Sequence, residues 1–357
     1  MTASYVIAMD VHSYGCHVVT LTPSGRRRSE RTVPTSAVEL RKLVQATPKP
    51  RRVVFEEGPL AGWLYRNLVA EADEVVVAET RRNAYIAKDG DKSDAIDAAK
   101  LGQLDRGGFI RPVHHSAEAQ RASFKDLVLF YRKQVNQRTA KANRVIWAVR
   151  AQGLVLTEKR FATPCERQKM LEALPRDRML RLRLDMLLAQ YDQAISHEQR
   201  SEQALTRRAR KIKEIRRFQE LPGIGWIRAA TFYALIDTPF RFRSKSALWR
   251  YMGIGLERRS SGKGREHVKS DPACNRHLKD IIIAAAQKAV RCRGDNPFKQ
   301  QYWRCIERGQ SPRVARRTVA RSMASTMWGM WKSDTSYRPD WVGLTANELS
   351  ARRVCEH

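Results

Sequence analysis

The chain has 357 residues, enough for two or three domains with proper cores, and its 67 Lys and Arg outnumber 37 Asp and Glu to give a formal net charge of +30. A surface this basic repels itself unless a polyanion neutralises it, and nucleic acid is the usual one. A membrane partner is disfavoured, because no run of about 18 apolar residues and no isolated amphipathic basic segment occurs. The six cysteines form no CxxC pair and read as reduced thiols rather than a zinc or disulfide framework. Met1-Thr2-Ala3-Ser4 runs straight into a strand-like stretch, so no targeting peptide is expected and the expected location is cytoplasmic.

The first hundred residues alternate strands and helices. Tyr5-Val6-Ile7-Ala8-Met9 is an apolar run ending at Asp10, and Cys16 to Leu21 is a second strand closed by the turn Thr22-Pro23-Ser24-Gly25. A third strand is expected through Arg31-Thr32-Val33. Ser36 and Glu39 form a capping box for a helix reaching about Gln45. Val53-Val54-Phe55 reads as a buried strand that stops at Glu56. A helix over Leu60–Ala70, a strand Val75-Val76-Val77 and a helix from Ser93 to about Leu104 follow. The succession β-β-β-α-β-α-β-α is the ribonuclease-H-like layout, a mixed sheet with helices on its faces.

From Ala117 the pattern is helical only. Phe124, Leu127, Tyr131, Val135, Arg138, Ala142, Val145 and Val149 recur in steps of three and four. Leu180, Leu184, Leu187, Tyr191, Ile195, Glu198 and Leu205 repeat the pattern. A period of about 3.5 residues predicts two long helices that pair as a coiled coil within or between subunits, with seams interrupted at Arg138 and Glu198. Gly153 and Pro164 break the helix between them. A mainly helical region rich in Trp and Arg begins near Phe218. The expected domains are therefore 1–115 (α/β), 116–216 (long helices), 217–340 (all-α) and a loosely held tail, 341–357.

Four acids fall where a ribonuclease-H-like sheet would gather them. Asp10 and Glu56 end strands that neighbour each other in such a sheet, and Asp94 and Asp97, three apart, share one face at the start of a helix. Such a cluster needs a cation, and two Mg²⁺ ions roughly 3.5–4 Å apart would suit it, with Mn²⁺ satisfying the same oxygens. The plainer readings are a strand-ending turn for Asp10 and first-turn helix acids for Asp94 and Asp97. Glu57 competes with Glu56, and Asp89 and Asp91 are acidic neighbours of the helix start.

Arg258-Arg259-Ser260-Ser261-Gly262-Lys263-Gly264-Arg265 sets four basic side chains around two hydroxyls. A serine that attacks a phosphodiester needs the phosphate neutralised, which these side chains could do; a loop that merely touches backbone phosphates is the alternative. Leu221-Pro222-Gly223-Ile224-Gly225 before a helix offers the amides of Gly223 and Gly225 to a phosphate, or is a plain helix connection. Arg276, Arg316 and Arg317 are candidate contacts to DNA or RNA, or part of a solvated face. Trp303, Trp328 and Trp331 are core or stacking residues.

Tyr5-Val6-Ile7-Ala8-Met9-Asp10, Val53-Val54-Phe55-Glu56 and Lys92-Ser93-Asp94-Ala95-Ile96-Asp97-Ala98 resemble the Asp–Glu–Asp–Asp blocks of the IS110 family of insertion-sequence transposases. Leu221-Pro222-Gly223-Ile224-Gly225 and the stretch from Tyr251-Met252-Gly253 through Ser260-Ser261-Gly262 resemble its second conserved region. The resemblance implies a RuvC-like first domain, a coiled coil and a C-terminal transposase domain with a nucleophilic serine. It selects Ser261, before Gly262, with Ser260 one residue away. It further implies donor and target DNA, a guiding bridge RNA, and a homotetramer in which the acids of one subunit lie beside the serine of another, acting at the bacterial nucleoid. A hydrolytic nuclease using the acids alone, and a non-catalytic nucleic-acid-binding protein, are the competing functions.

Overall fold

A computed structural model of the chain describes residues 4–80, 93–255, 257–259, 267–269 and 273–342. It divides into two compact units, Met1–Ser123 and Phe124–His357. Among the described residues no helix is long and apolar enough to cross a membrane.

The first unit is built on one sheet of six strands: β1 (Tyr5–Val11), β2 (Gly15–Leu21), β3 (Arg27–Pro34), β4 (Arg51–Glu56), β5 (Glu74–Ala78) and β6 (Pro112–Val113). They lie in the order β3-β2-β1-β4-β5-β6. The β1–β4 and β4–β5 pairs are parallel, and the other three are antiparallel. Ile7, Met9, Val53 and Phe55 face α1 (Ala37–Gln45) and α2 (Ala61–Leu68), while Val6, Val54 and Val76 face α3 (Asp94–Arg106). This mixed sheet with helices on both faces fits a ribonuclease-H-like domain. Two strands differ from expectation. β3 is longer than Arg31-Thr32-Val33 because its charged residues sit on an exposed edge, where alternation is weak. β6 was not expected; it is a two-residue edge strand opened by a proline.

α3 lies close against the sheet. Its Gly102 has no side chain, and a Cβ there would stand 2.9 Å from Leu21 Cδ1 and 3.2 Å from Ala8 Cβ. Near its C-terminal end, buried Asp105 pairs with Arg52 of β4 at 2.8 Å, and Arg106 donates to the Thr22 carbonyl at 2.9 Å. Burial pushes the Asp105 carboxyl up, and Arg52 draws it back. At the other end Ser93 caps the helix by accepting from the Ile96 amide at 3.3 Å.

The second unit is helical. α4 (Ala119–Arg150) and α6 (Arg178–Ala209) each run 32 residues, and between them α5 (Pro164–Glu172) starts at the proline, with Thr163 as its cap. Pro164 thus opens a helix as well as ending the break. Val145 and Val149 of α4 share a core with Leu184, Leu188 and Tyr191 of α6. The two seam interruptions meet: Arg138 Nε donates to Glu198 Oε2 at 2.6 Å. The same guanidinium pairs with Glu158, which also accepts from the Tyr191 hydroxyl at 2.8 Å.

The larger core gathers around α8 (Trp226–Ile236), which is buried continuously from Ala229 to Ile236. A helix apolar on every side belongs at the centre of a bundle. Around it stand α7 (Lys213–Phe218), α9 (Lys245–Tyr251), α10 (Arg276–Arg291), α11 (Pro297–Glu307) and α12 (Pro312–Ser333). Trp328 and Trp331 are core residues, the former donating to the Pro239 carbonyl at 2.6 Å and the latter stacked on Tyr233; Trp303 is exposed. A two-stranded sheet, β7 (Glu257–Arg259) with β8 (His267–Lys269), follows α9 in the chain.

Gly102→Leu should overpack the α3–sheet contact and lower unfolding stability by about 1–3 kcal/mol, read by urea titration.

Candidate functional site

Side chains alternate along β1, so Asp10 continues the face of Val6 and Ala8, the face covered by α3. α3 brings Asp94, in its first turn, to the same edge of the sheet. Between the two carboxylates stands His12. Its Nε2 lies 3.3 Å from Asp10 Oδ2 and 3.6 Å from Asp94 Oδ2, and the three ligand atoms are all within 4.8 Å of one another. Two contacts hold the backbone of His12: its amide donates to the Gly15 carbonyl at 3.0 Å, and the Thr35 hydroxyl donates to its carbonyl at 2.7 Å.

The other two expected acids are not members of this trio. Asp97 is half-buried one helical turn beyond the Asp94 position and adds to the negative field at Asp10. Glu56 is exposed at the end of β4, one residue past the Met9↔Phe55 register pair with which the β1–β4 pairing ends. Its neighbour Glu57 is engaged elsewhere: Glu57 Oε2 lies 2.6 Å from His115 Nε2, and the His115 ring packs near Tyr65 of α2. Asp89 and Asp91 lie outside the described residues. His115, which has no part in the sequence expectations, therefore separates Glu57 from Glu56 by tying it down.

Burial is the main reason that the Asp10 carboxyl is held above its ordinary value of 3.8; the charge of Asp94 adds to the rise, and His12 opposes it. Two carboxylates crowded at a partly buried edge are disfavoured until positive charge joins them. Asp10, His12 and Asp94 form a donor set of the right kind and spacing for a divalent cation.

In the second unit, Gly223 and Gly225 separate in role. Gly223 has φ +84°, and a Cβ on it would meet the Ala285 carbonyl oxygen at 2.4 Å and the Ala289 amide nitrogen at 2.9 Å, so it is the point where the chain touches α10. Gly225 is the N-cap of α8 and has open space where a Cβ would be. It lines a cavity of about 570 Å³ with Arg132, Trp226, Arg228 and Asp280. Arg276 is exposed at the first turn of α10. Arg316 donates to the Pro312 carbonyl at 3.1 Å, and burial together with Arg313 depresses Arg317. Arg258 and Arg259 belong to β7. Ser260, Ser261, Lys263 and Arg265 lie outside the described residues.

Comparison with known proteins bears on the same two regions. Residues 7–151, which contain all four acids, match the DEDD transposase model of the IS110 type, and residues 215–303 match the transposase family IS116/IS110/IS902. The chain belongs to the IS110 family of transposases. Over 254 residues, 69% of this chain and 68% of the relative, it is 24% identical to the transposase for insertion sequence element IS1111A of Coxiella burnetii.

The transposase carries one site residue that the sequence reading passed over. His12 lies two positions after Asp10 and one past the end of β1, in the connection closed by Gly15, so no strand pattern marks it. The arginines of α12 at 316 and 317 lie beyond the second matched segment.

Two measurements follow from this geometry. Because Asp10 holds its proton more tightly folded than unfolded, the metal-free transposase loses stability as pH rises from 3.8 through the raised value of that carboxyl. Asp10→Asn should remove this loss, and its melting temperature near neutral pH should equal or exceed that of the wild type. Separately, Gly223→Ala should cost at least about 2 kcal/mol through backbone strain and overlap with α10, whereas Gly225→Ala should cost about 1 kcal/mol or less; urea unfolding compares them.

Proposed function

We propose that this transposase cleaves and rejoins DNA through a covalent phosphoserine intermediate, with a bridge RNA guiding it to donor and target DNA. The observation that carries the reading is the convergence of Asp10 and Asp94 at one sheet edge in a chain of transposase family. In this reading residues 1–115 are a RuvC-like domain, 116–216 a coiled-coil region and 217–340 the serine-bearing domain. The tail is 341–357.

Asp10, Glu56, Asp94 and Asp97 would hold divalent ions, Mg²⁺ or Mn²⁺, as their shared edge of the sheet supports. Such ions, when bound, draw charge from a scissile phosphate and stabilise a leaving oxygen. The chain's own residues do the rest. Ser261, or Ser260 beside it, attacks phosphorus through its hydroxyl oxygen; the Oγ–P bond forms as the P–O bond to the leaving sugar oxygen breaks, and the serine proton passes to that oxygen. Arg258, Arg259, Lys263 and Arg265 neutralise the phosphate under attack. Reversal by a second strand's hydroxyl rejoins the DNA and frees the serine.

A net charge of +30 supports more than one nucleic-acid strand on the protein, as donor, target and RNA together require. Gly225 at the start of α8, Gly223 beside it, and Arg276, Arg316 and Arg317 are placed here as strand or RNA contacts. A homotetramer, with the acids of one subunit serving the serine of another, completes the reading.

The test is a denaturing gel of the protein with its element's RNA, labelled donor and target DNA, and Mg²⁺. A protein-linked DNA band should form and fall by at least about 100-fold in Ser261→Ala and in Asp10→Asn, while RNA binding persists. Loss in Ser260→Ala alone would move the nucleophile by one residue. Cleaved DNA with no linked protein would leave a hydrolytic nuclease instead.

A further inference from the structure

We propose that His12 is a nitrogen ligand of the metal centre, so that the site prefers a borderline divalent ion such as Mn²⁺ to Mg²⁺. The proposal rests on the reading that Asp10 and Asp94 hold a metal. Donor atoms at adjacent positions around an ion with bonds of about 2.1 Å stand about 3.0 Å apart in an octahedron and about 3.4 Å apart in a tetrahedron. The His12 nitrogen lies 3.3 Å from one carboxylate oxygen and 3.6 Å from the other. Both separations exceed the roughly 2.7–2.9 Å of a charge-assisted hydrogen bond. The imidazole reaches both carboxylates, so the three donor atoms already stand at the spacing that a single ion would bridge.

Placement favours the same conclusion. Gly15 and Thr35 hold the backbone of His12 on both sides, which fixes where its side chain starts. The side chains of His12 and Asp94 are 58% and 62% exposed, and that of Asp10 is 29% exposed, so an ion can reach the three donors from solvent. Mg²⁺ takes hard oxygen donors and gives up water reluctantly, whereas first-row transition ions accept imidazole nitrogen readily. Replacing one oxygen by a ring nitrogen therefore penalises Mg²⁺ more than Mn²⁺. A ligand set of four acids would draw no such distinction.

The experiment titrates the full-length protein, without nucleic acid, with Mn²⁺ and follows the free-ion signal by electron paramagnetic resonance. Spin-echo modulation then reports nitrogen bound to the ion, and Mg²⁺ competition gives the relative affinity. Wild type should show nitrogen modulation. His12→Ala should lose it, with Mn²⁺ affinity down about tenfold and Mg²⁺ affinity changed less than about threefold. His12→Gln, which offers an oxygen, should bind Mn²⁺ without the modulation and compete better with Mg²⁺. Nitrogen modulation that persists in His12→Ala, or equal losses for the two ions, would overturn the proposal. Unchanged Mn²⁺ binding in Asp10→Asn and Asp94→Asn would instead remove the acid site on which it rests. Circular dichroism of each variant confirms that the exposed turn tolerates the change.

Discussion

The acid cluster depends on how closely α3 lies on β1 and β2. Asp94 is a helix residue and Asp10 a strand residue, so the packing of the helix on the sheet sets their separation. The contact at Gly102 bears on it from the middle of the helix, because a residue without a side chain lets the helix lie this close to Ala8 and Leu21. Arg52–Asp105 and Arg106–Thr22 then pin the far end. The Arg52–Asp105 pair is better understood as a positioning device than as a source of stability, since burying two charges costs about as much as their attraction returns. With the far end held, the start of α3 has little freedom, and its first-turn acid comes to rest beside His12.

The same constraint explains why the cluster is electrostatically unfavourable in a protein that otherwise has cations to spare. Among the described residues, the ion pairs of Asp10 and Asp94 are made with His12. Burial raises the Asp10 carboxyl, and Asp94 raises it further. A divalent cation, where one binds, would relieve this repulsion, and the proposed function rests on that physical fit.

Much of this was legible in the residues. Asp10 and Glu56 could be placed because an apolar strand that stops at an acid delivers it to the sheet edge, and Asp94 because Ser93 announces a helix start. β3 was only partly legible, since an exposed edge strand carries charge where a buried one would show alternation. His12 was missed for a different reason. It lies one residue past β1, in a turn where a polar side chain is unremarkable, and only the folded chain shows which helix end it faces. Glu57 and His115 show the converse: 58 residues apart, they meet in a contact that no local pattern announces. The serine loop was read from its own residues and from family resemblance, and it lies outside the described residues.

The long helices carry one more lesson about what a periodic pattern can tell. Their apolar seams, taken alone, left pairing within the chain and pairing between subunits equally open. In the structure the seams are used within the chain, and the two residues that break them, Arg138 and Glu198, answer each other. If the helices also serve assembly, they must do so with other residues. Phe130 and Trp147 of α4 remain exposed, as do Met179, Leu182 and Met186 of α6. The last three recur at steps of three and four, a second stripe that the first one concealed. An exposed stripe of this kind on a helix already packed on its other side is a surface of the sort that protein contacts use. A subunit interface on these helices would therefore leave the Arg138–Glu198 pair intact and bury the methionines.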